Sequence, residues 1–242
     1  MPKYRTEAVV LGVHNWGDAD KLVTLFPQER GKVKATAFGC RRPKSALAAG
    51  MQMFRHLDVE LTEGQYLDTV RQCTILRHYK QLGRDLSVIA YGSFVAELAC
   101  ELMPEHESEP EVFSLLLDIF SAFESRNPRV VALAAAYQLL EYSGMQLSYQ
   151  HCVHCGKELE GDAAFRLHEG GALCGACAGS TDRPYTMELR RLILSLREFD
   201  WKENSHIKLK KAELLQAEQI LLEHIYSLLG HPLKSLDFLG QL

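Results

Sequence analysis

No apolar run in these 242 residues approaches the roughly 20 needed to cross a bilayer, so a transmembrane helix is excluded. No secretory leader is visible either: Met1–Arg5 runs straight into a strand-like segment, and a cytoplasmic location is expected. There is no phosphate-binding P-loop, no Gly-rich dinucleotide turn, and no Ser/His/Asp set with a recognisable local signature. Those absences remove the commonest nucleotide-dependent and nucleophilic chemistries, and a non-enzymatic protein is expected. Internal repeats and low-complexity tracts are also missing. Hydrophobic and charged contents of 47% and 24% are those of an ordinary globular protein.

An excess of positive charge is lacking too. The net charge is −4, which taken alone argues against a nucleic-acid partner. The distribution of that charge points the other way. Residues 1–80 carry thirteen Lys/Arg against eight Asp/Glu, a balance of +5, and the remainder carries −9. Polyanion binding depends on the local field, not on the sum.

What the chain does have is cysteine in a pattern. Cys152 and Cys155 form one C-x-x-C, and Cys174 and Cys177 form another, eighteen residues apart. Two such hooks can place four thiolates around one small tetrahedral ion, the spacing of a structural zinc site. Gly156, Gly175 and Gly179 follow the cysteines, where tight turns form and backbone amides can reach the sulfurs. Two disulfides would fit the same count, but a reducing compartment favours metal. Four thiolates leave no open position for a catalytic water. His168 and Glu169 are adjacent, and no proline precedes Cys174, so the H-x-E…P-C-x-x-C pattern of zinc deaminases is not met. His151 and His154 flank the first hook as alternative ligands, with surface histidine the simpler account. Cys40, Cys73 and Cys100 stand alone and read as small apolar fillers.

Residues 1–80 read as β. Arg5–Val13, Lys21–Phe26, Lys32–Phe38, His56–Thr62 and Tyr66–Ile75 are five strand-like stretches. Their alternation is clearest where Lys32, Lys34 and Thr36 share one face and Val33, Ala35 and Ala37 the other. Five strands interrupted after the third form the pattern of an OB-fold β-barrel; an SH3-like barrel gives a similar string. Arg41–Met53 is the interruption, a basic stretch followed by small residues that suit a helical turn. From Asp85 the period becomes helical. The spacing predicts helices ending at Met103-Pro104, over Pro110–Phe123, from Asn127-Pro128 to Gly144, over Met187–Glu198 behind Thr186, and over Lys210–Leu229 before Gly230. A short turn of helix over Leu233–Leu239 completes the series. The expected architecture is α+β. An N-terminal five-stranded OB-fold barrel (1–80) precedes an α-helical domain (81–150 and 180–242), into which a four-cysteine zinc module (151–179) is inserted.

The densest basic patch is Arg41-Arg42-Pro43-Lys44, just past the strand bearing Lys32 and Lys34, with Arg30 in the loop before it. Arg30, Lys32, Lys34, Arg41, Arg42 and Lys44 are the candidates for DNA phosphate, with Arg71, Arg77 and Lys80 behind them. Trp16, Phe38 and Phe54 are the candidates for base stacking. The competing account is a solvated edge whose lysines block strand-to-strand aggregation.

Arg5-Thr6-Glu7-Ala8-Val9-Val10-Leu11, Trp16-Gly17-Asp18-Ala19-Asp20-Lys21-Leu22-Val23-Thr24-Leu25-Phe26, Gly31-Lys32-Val33 and Gly39-Cys40-Arg41-Arg42-Pro43-Lys44-Ser45 together resemble the N-terminal domain of the RecO family of bacterial recombination mediators. The resemblance spans nearly the whole chain, because the family's order is an OB domain followed by a helical domain, with a four-cysteine zinc module in many members. It implies non-sequence-specific binding of single- and double-stranded DNA and annealing of complementary strands. It further implies contact with single-strand binding protein and, with RecR, loading of RecA on coated single strands. A bacterial, nucleoid-associated setting goes with those roles. Two other classes fit the cysteines alone: a zinc-ribbon RNA-binding or translation-associated module, and a zinc-dependent hydrolase.

Overall fold

The computed structural model describes residues 2–202 and 210–240; residues 203–209 and 241–242 of the expected 180–242 segment lie outside it. Contacts divide the chain into two compact units, residues 1–132 with 233–242 and residues 133–232.

The first unit is built on a closed barrel. Strands β1 (Lys3–Trp16), β2 (Asp20–Pro27), β3 (Val33–Ala37), β4 (His56–Thr62) and β5 (Asp68–Arg77) follow the order β1-β2-β3-β5-β4. At 14 residues, β1 is long enough to pair with β4 along its first half and with β2 along its second. A short parallel pairing, Ala35 beside Asp68 and Thr36 beside Thr69, closes the ring. This is the OB arrangement. Alternation drives it: Ala8, Val10, Val23, Leu25, Ala35, Ala37, Leu57, Val59, Leu61 and Val70 meet inside. Burying each larger aliphatic there contributes about 1.5–3 kcal/mol.

The β3–β4 connection is a run of turns and not a helix. Ser45 N–H donates to the Arg42 carbonyl (3.0 Å), Ala48 to Ser45 (3.3 Å) and Met51 to Leu47 (2.9 Å). The turns press Leu47 and Met51 against the barrel core. Helices α1 (Leu86–Leu102), α2 (Pro110–Ala122) and the first turn of α3 (Pro128–Tyr142) complete this unit, with the short α6 (Lys234–Leu239). Their ends follow the sequence signals. Asp85 caps α1 by accepting from Ser87 and Val88 amides at 2.9 and 3.1 Å, and Asn127 caps α3 in the same way. Glu97 of α1 accepts both leading amides of α6, from Lys234 and Ser235, at 2.9 and 2.8 Å.

The second unit holds the rest of α3, the cysteine segment, α4 (Met187–Arg197) and α5 (Lys211–Leu229). Three short strands that periodicity does not reveal, β6 (Ala163–Arg166), β7 (Gly171–Leu173) and β8 (Arg183–Tyr185), form a sheet in the order β7-β6-β8. Runs of three or four residues carry too little alternation to be read. Gly171 sits at φ 144°, where an added Cβ would fall 2.2 Å from the Ser148 carbonyl oxygen. The core is aromatic: Tyr137, Tyr149, Phe165 and Tyr185 follow one another with centroids 5.7, 6.0 and 5.1 Å apart. The Tyr137 hydroxyl donates to the Ala217 carbonyl on α5 at 2.8 Å, so the buried phenol is satisfied. Among the described residues no helix is long and apolar enough to cross a membrane.

Candidate metal centre and nucleic-acid interface

The sulfurs of Cys152, Cys155, Cys174 and Cys177 all lie within 4.8 Å of one another. Each hook is a tight turn. Gly156 N–H donates to the Cys152 carbonyl at 2.8 Å with Gly156 at φ 72°, and Cys177 N–H donates to the Cys174 carbonyl at 2.9 Å. Bonds of about 2.3 Å to a tetrahedral ion would hold sulfurs about 3.8 Å apart. Cys155 and Cys174 stand at 3.7 Å, so these four residues fit a single metal ion. Burial acts to raise the Cys152 thiol, but the amides of Cys174, Cys155 and His154 outweigh it and bring it down to about 6. The Cys177 amide lowers Cys174, whereas hydrogen bonding to Cys174, ahead of burial, pushes Cys177 up to about 12. Four sulfurs this close cannot all be anionic without a cation among them.

The flanking histidines are not drawn in. Among the described residues the cluster consists of the four cysteines alone. The His154 imidazole lies 2.5 Å from Glu169, whose carboxylate is also held by Arg166 at 2.7 Å. Arg166 in turn forks onto Asp182 at 2.7 and 2.6 Å, and Asp182 accepts the Gly179 amide at 2.7 Å. The Arg166 guanidinium, ahead of that amide, holds the Asp182 carboxyl down at about 2. These bonds tie β6 to the turn leaving the second hook. Glu169, which beside His168 faintly evokes a deaminase, is therefore part of the module's bracing.

The basic candidates separate into two groups. Arg30 lies 3.7 Å from Glu63 and 3.9 Å over the Tyr4 ring. Lys32 donates its ammonium to the Cys100 carbonyl, one of the carbonyls at the end of α1 that lack a helical partner. Lys34 pairs with Glu105 at 2.6 Å, and Lys34 together with Lys32 holds the Glu105 carboxyl below its ordinary range. Lys32 and Lys34 share a face, as alternation predicts; Lys32 is half-buried against the end of α1, and Lys34 stays exposed while pairing with the segment that follows it.

Arg41, Arg42 and Lys44 are exposed, and no carboxylate lies within ion-pair distance of them among the described residues. Their loop is fastened to the β1–β2 turn. Arg41 N–H donates to the Ala19 carbonyl at 2.8 Å, and its guanidinium to the Gly17 carbonyl at 3.2 Å. Gly39 N–H donates to Asp20 at 2.6 Å. Of the weaker candidates, Arg71 donates to Thr62 at 2.8 Å, Arg77 to Ser121 at 2.9 Å, and Lys80 is exposed.

Of the aromatics, Trp16 and Phe38 are 54% and 60% exposed. Phe54, expected to stack on bases, does not. It is 5% exposed, its backbone takes φ 66°, and its ring meets Phe120 of α2 edge-on at 5.5 Å. It belongs to the packing of helices on barrel and is out of reach of a base. Tyr66, 84% exposed in the β4–β5 turn, is an aromatic that sequence does not single out, placing it as the first residue of the last strand, which begins instead at Asp68.

A family model described as "Recombination protein O N terminal" matches residues 1–79, and one described as "Recombination protein O C terminal" matches residues 83–237. A protein of Symbiobacterium thermophilum called "DNA repair protein RecO" is 32% identical over all of this chain and 98% of its own length. Proteins of the same name from Desulfitobacterium hafniense and Bacillus cereus are 30% and 29% identical over 92% and 98% of the chain, covering 85% and 97% of their own lengths. With the barrel, the helices and the four-cysteine cluster in that order, the chain belongs to the RecO family of DNA repair and recombination proteins.

Proposed function

We propose that this chain binds single- and double-stranded DNA without reading sequence, and that Arg41, Arg42 and Lys44 at the end of the barrel make the principal phosphate contacts. The observation that carries this reading is a set of three exposed cations with no carboxylate partner among the described residues, fastened to the β1–β2 turn. Arg30, Lys32 and Lys34 are already engaged by protein groups and contribute through their field more than by direct contact. The family match supports a role in bringing complementary strands together. Annealing requires two phosphate chains to approach despite repulsion, and a cationic, sequence-neutral grip lowers that repulsion while bases search for register. Within that role the protein acts with RecR to load RecA on single strands coated by single-strand binding protein, in a cytoplasmic, nucleoid-associated setting. No bond-making chemistry is assigned to it.

Zinc is the metal best suited to four thiolates. Held by Cys152, Cys155, Cys174 and Cys177, it would have no open coordination position, and its part is to hold the module folded. The gap between the two family matches, at residues 79 and 83, supports a boundary near residue 80 between the DNA-binding barrel and the helical domain carrying residues 151–179.

The test is strand annealing and binding across a salt series, on wild type and on Arg41→Ala/Arg42→Ala. The double variant should bind less tightly, and its slope of log affinity against log salt on single strands should fall by about 1.4, two contacts at about 0.7 each. Unchanged affinity and slope would remove the loop from the site.

A further inference from the structure

We propose that Trp16 and Phe38 form a stacking platform for the unpaired bases of single-stranded DNA, so that preference for single over double strands resides in these two rings and not in the neighbouring arginines. This rests on the reading above, that this end of the barrel binds DNA.

Strand register and one turn contact bring both residues beside Asp20. Trp16 lies opposite Asp20 in the β1–β2 pair, and Lys21 lies opposite Ala37 in the β2–β3 pair. Phe38 follows Ala37 directly, in the turn that leaves β3. Its neighbour Gly39 bonds Asp20, so Trp16 and Phe38 flank the same aspartate, one across the β1–β2 pair and the other beside the Gly39 bond. Both side chains face solvent, at 54% and 60% exposure. The intervening Asp20 carboxylate is held by the Gly39 amide.

Neither ring meets another ring among the described residues, and each exposes more than half its surface. Large exposed aromatics beside unpaired cations form a surface with two complementary demands, an anion for one and a flat apolar face for the other. A single strand meets both. Its phosphates lie along Arg41, Arg42 and Lys44, and its free bases lie on the rings. A duplex meets only the first demand, because its bases are stacked inside. The bonds from Arg41 to Ala19 and Gly17 join the arginine loop to the turn beside Trp16, so both contacts can form together.

The test compares three ligands at fixed salt: a labelled oligo-dT, an abasic oligomer of equal length and charge, and a duplex. Wild type should bind oligo-dT about tenfold or more tighter than the abasic chain. Trp16→Ala/Phe38→Ala should lose that margin while keeping its affinity for the abasic chain and the duplex, and Trp16→Phe should keep part of it. Equal wild-type affinity for oligo-dT and the abasic chain, or a double variant that retains the margin, overturns the platform. Arg41→Ala/Arg42→Ala separates the two ideas. If it weakens all three ligands while the aromatic variant changes none, only the platform fails. If it weakens none, DNA binding at this end fails and the platform with it.

Discussion

At the scale of single residues, identical side chains have been assigned opposite work by their backbone. Phe38 sits in the turn after β3 and stays wet, whereas Phe54 takes a positive φ and turns into the seam between barrel and helices. Phe54→Ala should therefore cost about 3–5 kcal/mol of unfolding free energy. Phe38→Ala should stay within about 0.5 kcal/mol in the same urea titration. Sequence does not separate them, because no propensity marks a phenylalanine at positive φ. The same holds for Lys34. Alternation places it outward, but only the fold brings Glu105 to it, 71 positions along the chain. Because Lys34 lowers the Glu105 carboxyl, the pair's contribution to stability is present above the ordinary carboxylate range and fades as pH falls through the lowered value. In a carboxyl NMR titration, Lys34→Met should move the Glu105 midpoint upward toward 4.5. A midpoint that does not move would mean the contact is absent in solution.

At the scale of elements, legibility follows length and chemistry. The long helices are readable from their stripes and ends, down to Thr186 capping α4 by accepting from the Leu189 amide at 3.2 Å. Gly230, at φ 74°, ends α5 as a left-handed cap. Asp85→Ala should remove about 1 kcal/mol by leaving the first amides of α1 without an acceptor, as chemical denaturation would report. The cysteine hooks are readable because few arrangements other than a metal cage or disulfides explain their spacing. The sheet between and after them is not, being short and held by Gly171 and by Arg166 forking onto Asp182. Strand β7 runs directly into Cys174, and Val153 of the first hook donates to Ala172, so on the zinc proposal removing the metal should unfold the sheet locally. A strong chelator should abolish amide protection in Ala163–Arg166 and Gly171–Leu173 while strands β1–β5 keep theirs. Simultaneous loss across the barrel would contradict a module-scale role for the metal.

For the molecule as a whole, composition misleads and distribution informs. A net charge of −4 conceals a front of +5 and a remainder of −9. The front's charge is in turn divided by the fold, since Lys32 bonds the end of α1, Lys34 pairs with Glu105, and Arg30 lies by Tyr4 and Glu63. Sequence identifies the barrel and the arginine loop, because strand alternation and a run of cations are local. It does not say which cations remain available, because that depends on where the α1 end and Glu105 come to rest. The most direct measurement is amide hydrogen exchange with and without a bound single-stranded oligonucleotide. Added protection should concentrate at Trp16–Asp20 and Phe38–Ser45, leaving the four-cysteine module unchanged. Protection centred on that module or on α4 and α5, with the arginine loop unaffected, would contradict the account.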